Sequence, residues 1–287
     1  MSVLSSVYER AGETHREFEC CDTQFVIRAT GVRSTTGVDA AQRTVRRLEG
    51  GLNAFDGKSA VSRLNRTGSV ENEHVARIVR RGLEYYERTT GVFDIRQGRV
   101  EHDLKAFLRG DRQSLPETFE VGDIELDGAQ VRTDQPLDLN GLAKGYIVDR
   151  AAATLSGVGR RGFVSGGGDM SPPPGPVAVE SPYGDETPLK ILETDWFVAS
   201  SGGYRRTRNG TDHIYDPTSE RIGSRHESVT VVAERDCMEA DALATTLAAL
   251  PLDDALSLGE SWANAEALVV HGGVFHTTEG FETHVLD

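Results

Sequence analysis

A chain of 287 residues with a hydrophobic fraction of 38%, two Trp, ten Phe and seven Tyr can bury a substantial core and is too apolar for intrinsic disorder. Its 45 acidic and 31 basic residues give a formal net charge of -14, which disfavours nucleic acid and anionic membrane surfaces as partners. No stretch approaches the roughly 18 apolar residues of a membrane span. The first 30 residues also lack the apolar segment of a secretory signal, so a soluble, cytoplasmic protein is expected.

Residues 22–30 read as an opening strand, after which Val38, Ala41, Val45, Leu48 and Leu52 recur at helical spacing. A polar connection over 59–68 leads to a second helix marked by Val75, Ile78, Val79, Leu83 and Tyr86, with its stop at Thr90-Gly91. From 119 to 139, short alternating runs with turns at Asp127-Gly128 and Asp134-Gln135-Pro136 predict a meander of strands. A helix over about 145–155, a strand around Phe163-Val164, a glycine run and the proline-rich loop 171–176 follow. The final third carries strands near 196–199, 212–215 and 228–232, then an Ala-rich helix over 238–250. Strands and helices mix without strict alternation, which predicts an α+β architecture in one domain spanning 1–287, with no internal repeat and no clear linker.

Four segments offer chemistry. Residues 137–149 run from a predicted strand through Asn140-Gly141 into a helix, a geometry that points free backbone amides at an anion, and Lys144 adds a positive charge there. A plain reversing turn with a solvated lysine fits the same residues. The pattern GxxxxGK[ST] is absent, so this is not a Walker A loop. The run Ser165, Gly166, Gly167, Gly168, Asp169 follows a predicted strand, where small residues let backbone approach a ligand or form a simple surface loop.

On the helix from Met238, Asp241 and Thr245 lie one turn apart and share a face. They offer the hard oxygens that magnesium prefers beside phosphate and water; an acid near a helix start and a threonine packed by its methyl is the alternative. His213 sits on a predicted strand that ends at Asp216-Pro217, either as a general base or as an ordinary surface histidine. The other seven histidines form no HxxxH or HExxH pattern, so zinc is not expected. Cys20, Cys21 and Cys237 fit neither a disulfide framework nor a CxxC site and are assigned no chemistry. Only Lys58, Lys105, Lys144 and Lys190 are lysines, an acid-rich, Arg-for-Lys composition that resembles proteins of salt-adapted organisms.

Taken in order, seven segments resemble the ApbE family of FAD:protein FMN transferases. They are 59–65, 90–94, 138–149, 165–169, 200–204, 213–217, and 228–232 followed by 240–245. The resemblance implies an α+β flavin-transferase fold related to the T-fold, two closely packed lobes with FAD in the cleft between them, and magnesium at the pyrophosphate. By position it implies Asp241 and Thr245 as metal ligands with a backbone carbonyl near Ala143. Lys144, Gly166, Gly167, Gly168 and Asp169 become the cofactor cradle, and Asn65 and Asp94 cleft residues. His213 becomes the group that contacts the phosphates or activates the acceptor.

The implied reaction transfers FMN from FAD to a Thr or Ser hydroxyl of an acceptor flavoprotein and releases AMP. A hydrolase of the same fold, cutting FAD to FMN and AMP, and a non-catalytic flavin-binding protein are the alternatives. Two departures stand out: Cys21-Asp22-Thr23 replaces the family's Met-Gly-Thr, and Glu220 replaces a glycine after the Asp-Pro stretch.

Overall fold

The computed structural model describes residues 13–31, 33–157, 162–184, 187–203 and 207–286. The chain opens with β1 (Glu13–Cys20), β2 (Thr23–Thr30), α1 (Ser34–Leu52), α2 (Ala60–Thr67), β3 (Ser69–Glu71), α3 (Glu73–Arg88) and α4 (Gly98–Arg109). It continues with β4 (Ile124–Asp127), β5 (Gln130–Thr133), α5 (Asn140–Gly157), β6 (Gly162–Gly166), β7 (Asp169–Met170), β8 (Val177–Val179), β9 (Lys190–Leu192) and β10 (Phe197–Ser201). The final part is β11 (Tyr215–Asp216), β12 (Arg221–Ile222), β13 (Ser228–Ala233), α6 (Cys237–Ala249), α7 (Leu252–Ser261), β14 (Ala265–His271) and β15 (Val274–Thr277).

Eight strands form one antiparallel sheet in the order β1-β2-β6-β7-β10-β13-β14-β15. Because side chains alternate along a strand, neighbouring residues feed different cores. Val229, Val231 and Ala233 of β13 join the main core under α1, α5 and α6, while Val232 points into a second core with Val198, Leu268 and Phe281. A strand buried on both faces has little use for polar side chains, and β13 reads Ser-Val-Thr-Val-Val-Ala. The same burial explains α6. Every residue of that helix except Thr245 is buried, so its sequence is apolar all round rather than amphipathic. A three-stranded sheet, β3-β5-β4, stands apart with α2 and α3 beside it.

The α+β architecture agrees with the sequence, and the first two expected helices are α1 and α3. The buried stripe of α1 includes Val38, Ala41, Val45, Leu48 and Leu52. Local signals misled elsewhere. The polar connection over 59–68 is α2, capped by the Ser59 hydroxyl accepting from Ser62 N at 2.9 Å and ended by left-handed Gly68; with only Val61 and Leu64 buried, it has too few apolar residues to show a period. Residues 119–123 and 137–139 form no strand, because their backbone bonds go to side chains such as Gln135 and Asn65. The strand expected over 212–215 shortens to β11, and His213 precedes it in a bend. Of the segment 200–204, Tyr204 lies outside the described residues.

Both sequence departures fall on left-handed backbone. Cys21 and Asp22 each have φ 54° in the two-residue turn between β1 and β2, and Glu220 has φ 53° between β11 and β12. A side chain in this region costs on the order of 1 kcal/mol, which glycine avoids at some cost in unfolded-state entropy. Glu220→Gly is therefore expected to raise the stability by about 0.5–1 kcal/mol, read as a higher urea midpoint with an unchanged slope. A lowered midpoint would show that the Glu220 side chain contributes more than its backbone costs.

Candidate functional site

The site grows from one helix crossing. A Cβ on Gly145 of α5 would lie 2.6 Å from the Cys237 carbonyl oxygen and 2.7 Å from Met238 Cα, so the two helices touch backbone to backbone only because residue 145 is glycine. Asp149, one turn on, accepts from Cys237 N at 2.8 Å and Met238 N at 3.1 Å and so caps the start of α6. In the other direction, Asp241 of α6 accepts from Gly145 N at 3.2 Å. These contacts fix which α6 residues meet the cleft.

That cleft has a volume of about 890 Å³, within the range of small-molecule and cofactor pockets. Ala143, Lys144, Asp241 and Thr245 line it from the two helices, facing Gly167 and Gly168. The Lys144 ammonium lies 2.9 Å from Asp169, whose carboxylate is wholly buried. Burial draws the Lys144 ammonium toward deprotonation, but Asp169 and Asp241 outweigh it and hold the pKa above the ordinary range. Burial pushes both carboxyls upward, Asp241 strongly, against the pull of the Lys144 ammonium. Two carboxyls beside one ammonium leave an excess of negative charge that a hard cation would offset.

The oxygen donors suit such a cation. Thr246 spends its hydroxyl on Ala242 O at 2.8 Å, whereas the Thr245 hydroxyl, on the cleft face, makes no hydrogen bond among the described residues. No group of three or more His, Cys, Asp and Glu side chains gathers into a metal cage among the described residues. Magnesium fits this incomplete donor set, since it commonly takes one or two carboxylates and completes its shell with phosphate and water.

The glycine run makes the opposite wall. Ser165 pairs with Met170 and Gly166 with Asp169, leaving Gly167 (φ 63°) and Gly168 (φ 108°) as a two-residue turn. A Cβ on Gly167 would meet Thr23 Oγ1 at 2.3 Å. Gly166 lies behind the wall, against the Phe25 ring. His213 lines the cleft from a bend held by Asp212, which accepts from Ile214 N at 2.8 Å and Ser224 N at 2.9 Å. On its other side Asp216 accepts from Thr218 N at 2.9 Å, and hydrogen bonds hold its carboxyl below the usual range against the effect of burial.

Two expected cleft residues serve as scaffold. Asn65 donates to Leu137 O at 3.0 Å and accepts from Leu137 N at 2.9 Å, clamping the segment before α5 from behind the cleft. Asp94 reaches the cleft, but its carboxylate is engaged by Arg96 Nε at 2.8 Å and Arg96 N at 3.0 Å.

Sequence reasoning missed Lys105, Glu101 and the helix-capping role of Asp138. Asp138 accepts from Asn140 N at 2.8 Å at the start of α5 and pairs with Lys105, which also lies 3.6 Å from Glu101. Burial raises Glu101 to about 7. The one cue was the spacing of Glu101 and Lys105 on a helix that was itself not recognised.

Fold and site define an α+β protein with a cofactor-sized cleft, in which Lys144, backed by Asp169, lies with Asp241 and Thr245. The chain belongs to the ApbE family, whose sequence profile matches residues 21–269. It is 27% identical over 265 residues to an FAD:protein FMN transferase of Vibrio cholerae serotype O1, covering 81% of this chain and 77% of that protein. Among solved structures it resembles the ApbE protein of Thermotoga maritima with a TM-score of 0.83 at 25% identity, covering 96% of this chain and all of that one. The flavinyl transferase ApbE of Pseudomonas stutzeri superposes with a TM-score of 0.78 at 21% identity, covering 97% of this chain and 100% of that one, and supports the fold.

Asp149 gives the crossing a pH signature. Burial first, then the Asp236 carboxylate, pushes its carboxyl up to about 8 against the two amides it accepts from. The folded state thus holds this proton more tightly than the unfolded chain. Its stabilising effect is complete below about pH 4 and is lost as pH rises through about 8. Asp149→Asn removes the titration and keeps an acceptor oxygen. The unfolding free energy of the wild type minus that of the variant should fall steadily over this window. A difference that is flat with pH shows that Asp149 titrates normally.

Proposed function

We propose that this protein is an FAD:protein FMN transferase that uses magnesium to move FMN from FAD onto a Thr or Ser hydroxyl of an acceptor flavoprotein, with AMP as the other product. The observation that carries this reading is the meeting of Lys144, Asp241 and Thr245 opposite the Gly167-Gly168 turn, at one end of a cleft of cofactor size. Family membership and the named activity of the Vibrio cholerae relative support it.

Asp241, Thr245 and the Ala143 carbonyl would hold magnesium, which when bound would neutralise the pyrophosphate charge. Lys144, kept cationic by Asp169, attracts and orients the phosphates. The turn at Gly167 and Gly168 admits the ligand close to backbone. The acceptor oxygen forms the new bond to the FMN phosphorus while the bond to the bridging oxygen breaks. His213 takes the hydroxyl proton, and AMP leaves with the bridging oxygen. A bound acceptor loop has its hydroxyl in place, an advantage over water that can reach several kcal/mol. We place the reaction in the cytoplasm, with FAD and the acceptor as the partners.

Asp241→Asn should lower AMP release by at least about 100-fold, because several kcal/mol of charge stabilisation depend on the ligand. Thr245→Val should cost about tenfold, and Lys144→Met should weaken both FAD binding and turnover. The decisive assay supplies FAD, magnesium and a candidate acceptor domain, then follows AMP and protein-bound flavin together. Equal yields of both support transfer. AMP without any flavin on an acceptor Thr or Ser replaces this reading with the hydrolase.

A further inference from the structure

The turn joining β1 to β2 carries two thiols that the proposed reaction does not use. The Cys21 thiol donates to Cys20 Sγ at 4.0 Å. Cys20 is buried at the end of β1, while Cys21 is half-buried and lines the cleft. The hydrogen bond from Cys21 holds the Cys20 thiol below its ordinary range, and the same bond holds the Cys21 proton in place. The two sulfurs are in contact, with one at the cleft, so oxidation of either leaves the other positioned to resolve it.

We propose that Cys20 and Cys21 form a peroxide-sensitive dithiol whose closure to a vicinal disulfide deforms the cleft wall and lowers affinity for FAD. One sulfur of the pair attacks a hydroperoxide, ROOH, giving its sulfenic acid and ROH. The other sulfur then displaces water from that sulfenic acid and forms the S–S bond. Overall, two thiols and ROOH yield the disulfide, ROH and water. The thiols lose two electrons and the O–O bond takes them up.

The turn cannot accept this bond unchanged. The sulfurs must move from 4.0 Å to about 2.05 Å, and adjacent Cα atoms at about 3.8 Å are closer than ordinary disulfides span. The backbone at Cys21 and Asp22, both left-handed, has to give. Thr23, the next residue, pairs with Cys20 across the turn and touches the site of the Gly167 Cβ. Gly167 N also donates to Gln24 O at 3.2 Å. Deforming the turn thus moves the Gly167-Gly168 wall. A bond formed against such strain is readily reduced, which suits a reversible modification.

The coupling to FAD rests on the proposed function; the disulfide does not. The full-length protein is treated with hydrogen peroxide, its thiols are alkylated, and the peptides are weighed, while FAD affinity is followed by flavin fluorescence. The expected result is loss of two hydrogens on the peptide bearing Cys20 and Cys21. Cys237, wholly buried, stays reduced. FAD affinity should fall about tenfold and recover with dithiothreitol. Cys20→Ser should abolish both the mass loss and the change in affinity. Oxygen addition without loss of two hydrogens overturns the site, as does no reaction. A disulfide with unchanged FAD affinity overturns the coupling. If the reduced protein binds no FAD, the proposed function and the coupling both fail, and the mass measurement still decides the site.

Discussion

The backbone contact between α5 and α6 at Gly145 is the constraint from which the rest of the site follows. Helices separated by ordinary side chains lie about 8–10 Å apart, too far for a short carboxylate to reach the other backbone. Here Asp149 reaches the first amides of α6 and Asp241 reaches Gly145 N. Rotation of α6 is thereby fixed from both ends of the contact. Thr245 becomes the one residue of α6 outside the core, facing the cleft beside Asp241. The apolar sequence of the helix is the other half of the same constraint, because polar residues on its remaining faces would meet the sheet or α5.

Charge is arranged against the grain of the composition. A chain with a formal net charge of -14 repels anions at long range, yet its cleft must receive a phosphate-bearing ligand under the proposed function. Lys144 answers this locally, and Asp169 behind it keeps the ammonium charged despite burial. The arrangement carries a penalty: with Asp241 nearby, two carboxyls compete for one ammonium. Under the proposed function, a divalent cation would convert that conflict into an attraction for phosphate. On that reading the cation and the dinucleotide would bind cooperatively, each supplying the charge or ligands that the other lacks.

Legibility in the sequence followed the range of the interaction. The α1 stripe and the shared face of Asp241 and Thr245 are periodic and local, so they were visible. The Gly167-Gly168 turn was visible because glycine alone tolerates it cheaply. Asp149 and Asp138 were not: each sits in a legible segment, but its role is set by partners far along the chain, Cys237 and Lys105. Asn65 shows the same limit, since nothing near it reveals that its amide reads the backbone of Leu137. Helix α2 escaped because eight residues with two buried apolar positions carry caps but no measurable period.

Glycines in this fold do two different things, and the departures at Asp22 and Glu220 separate them. At Gly145 and Gly167 a Cβ collides with backbone or with Thr23, so any side chain would displace a wall of the cleft. At Asp22 and Glu220 only the backbone conformation is unusual, and the turns close with side chains present. The first kind of position is constrained by its neighbours and cannot change without moving them. The second tolerates substitution at a cost on the order of 1 kcal/mol, which a chain with a substantial core can absorb. Substitution at the second kind therefore meets no such collision, even at the turn that brings Cys21 to the edge of the cleft.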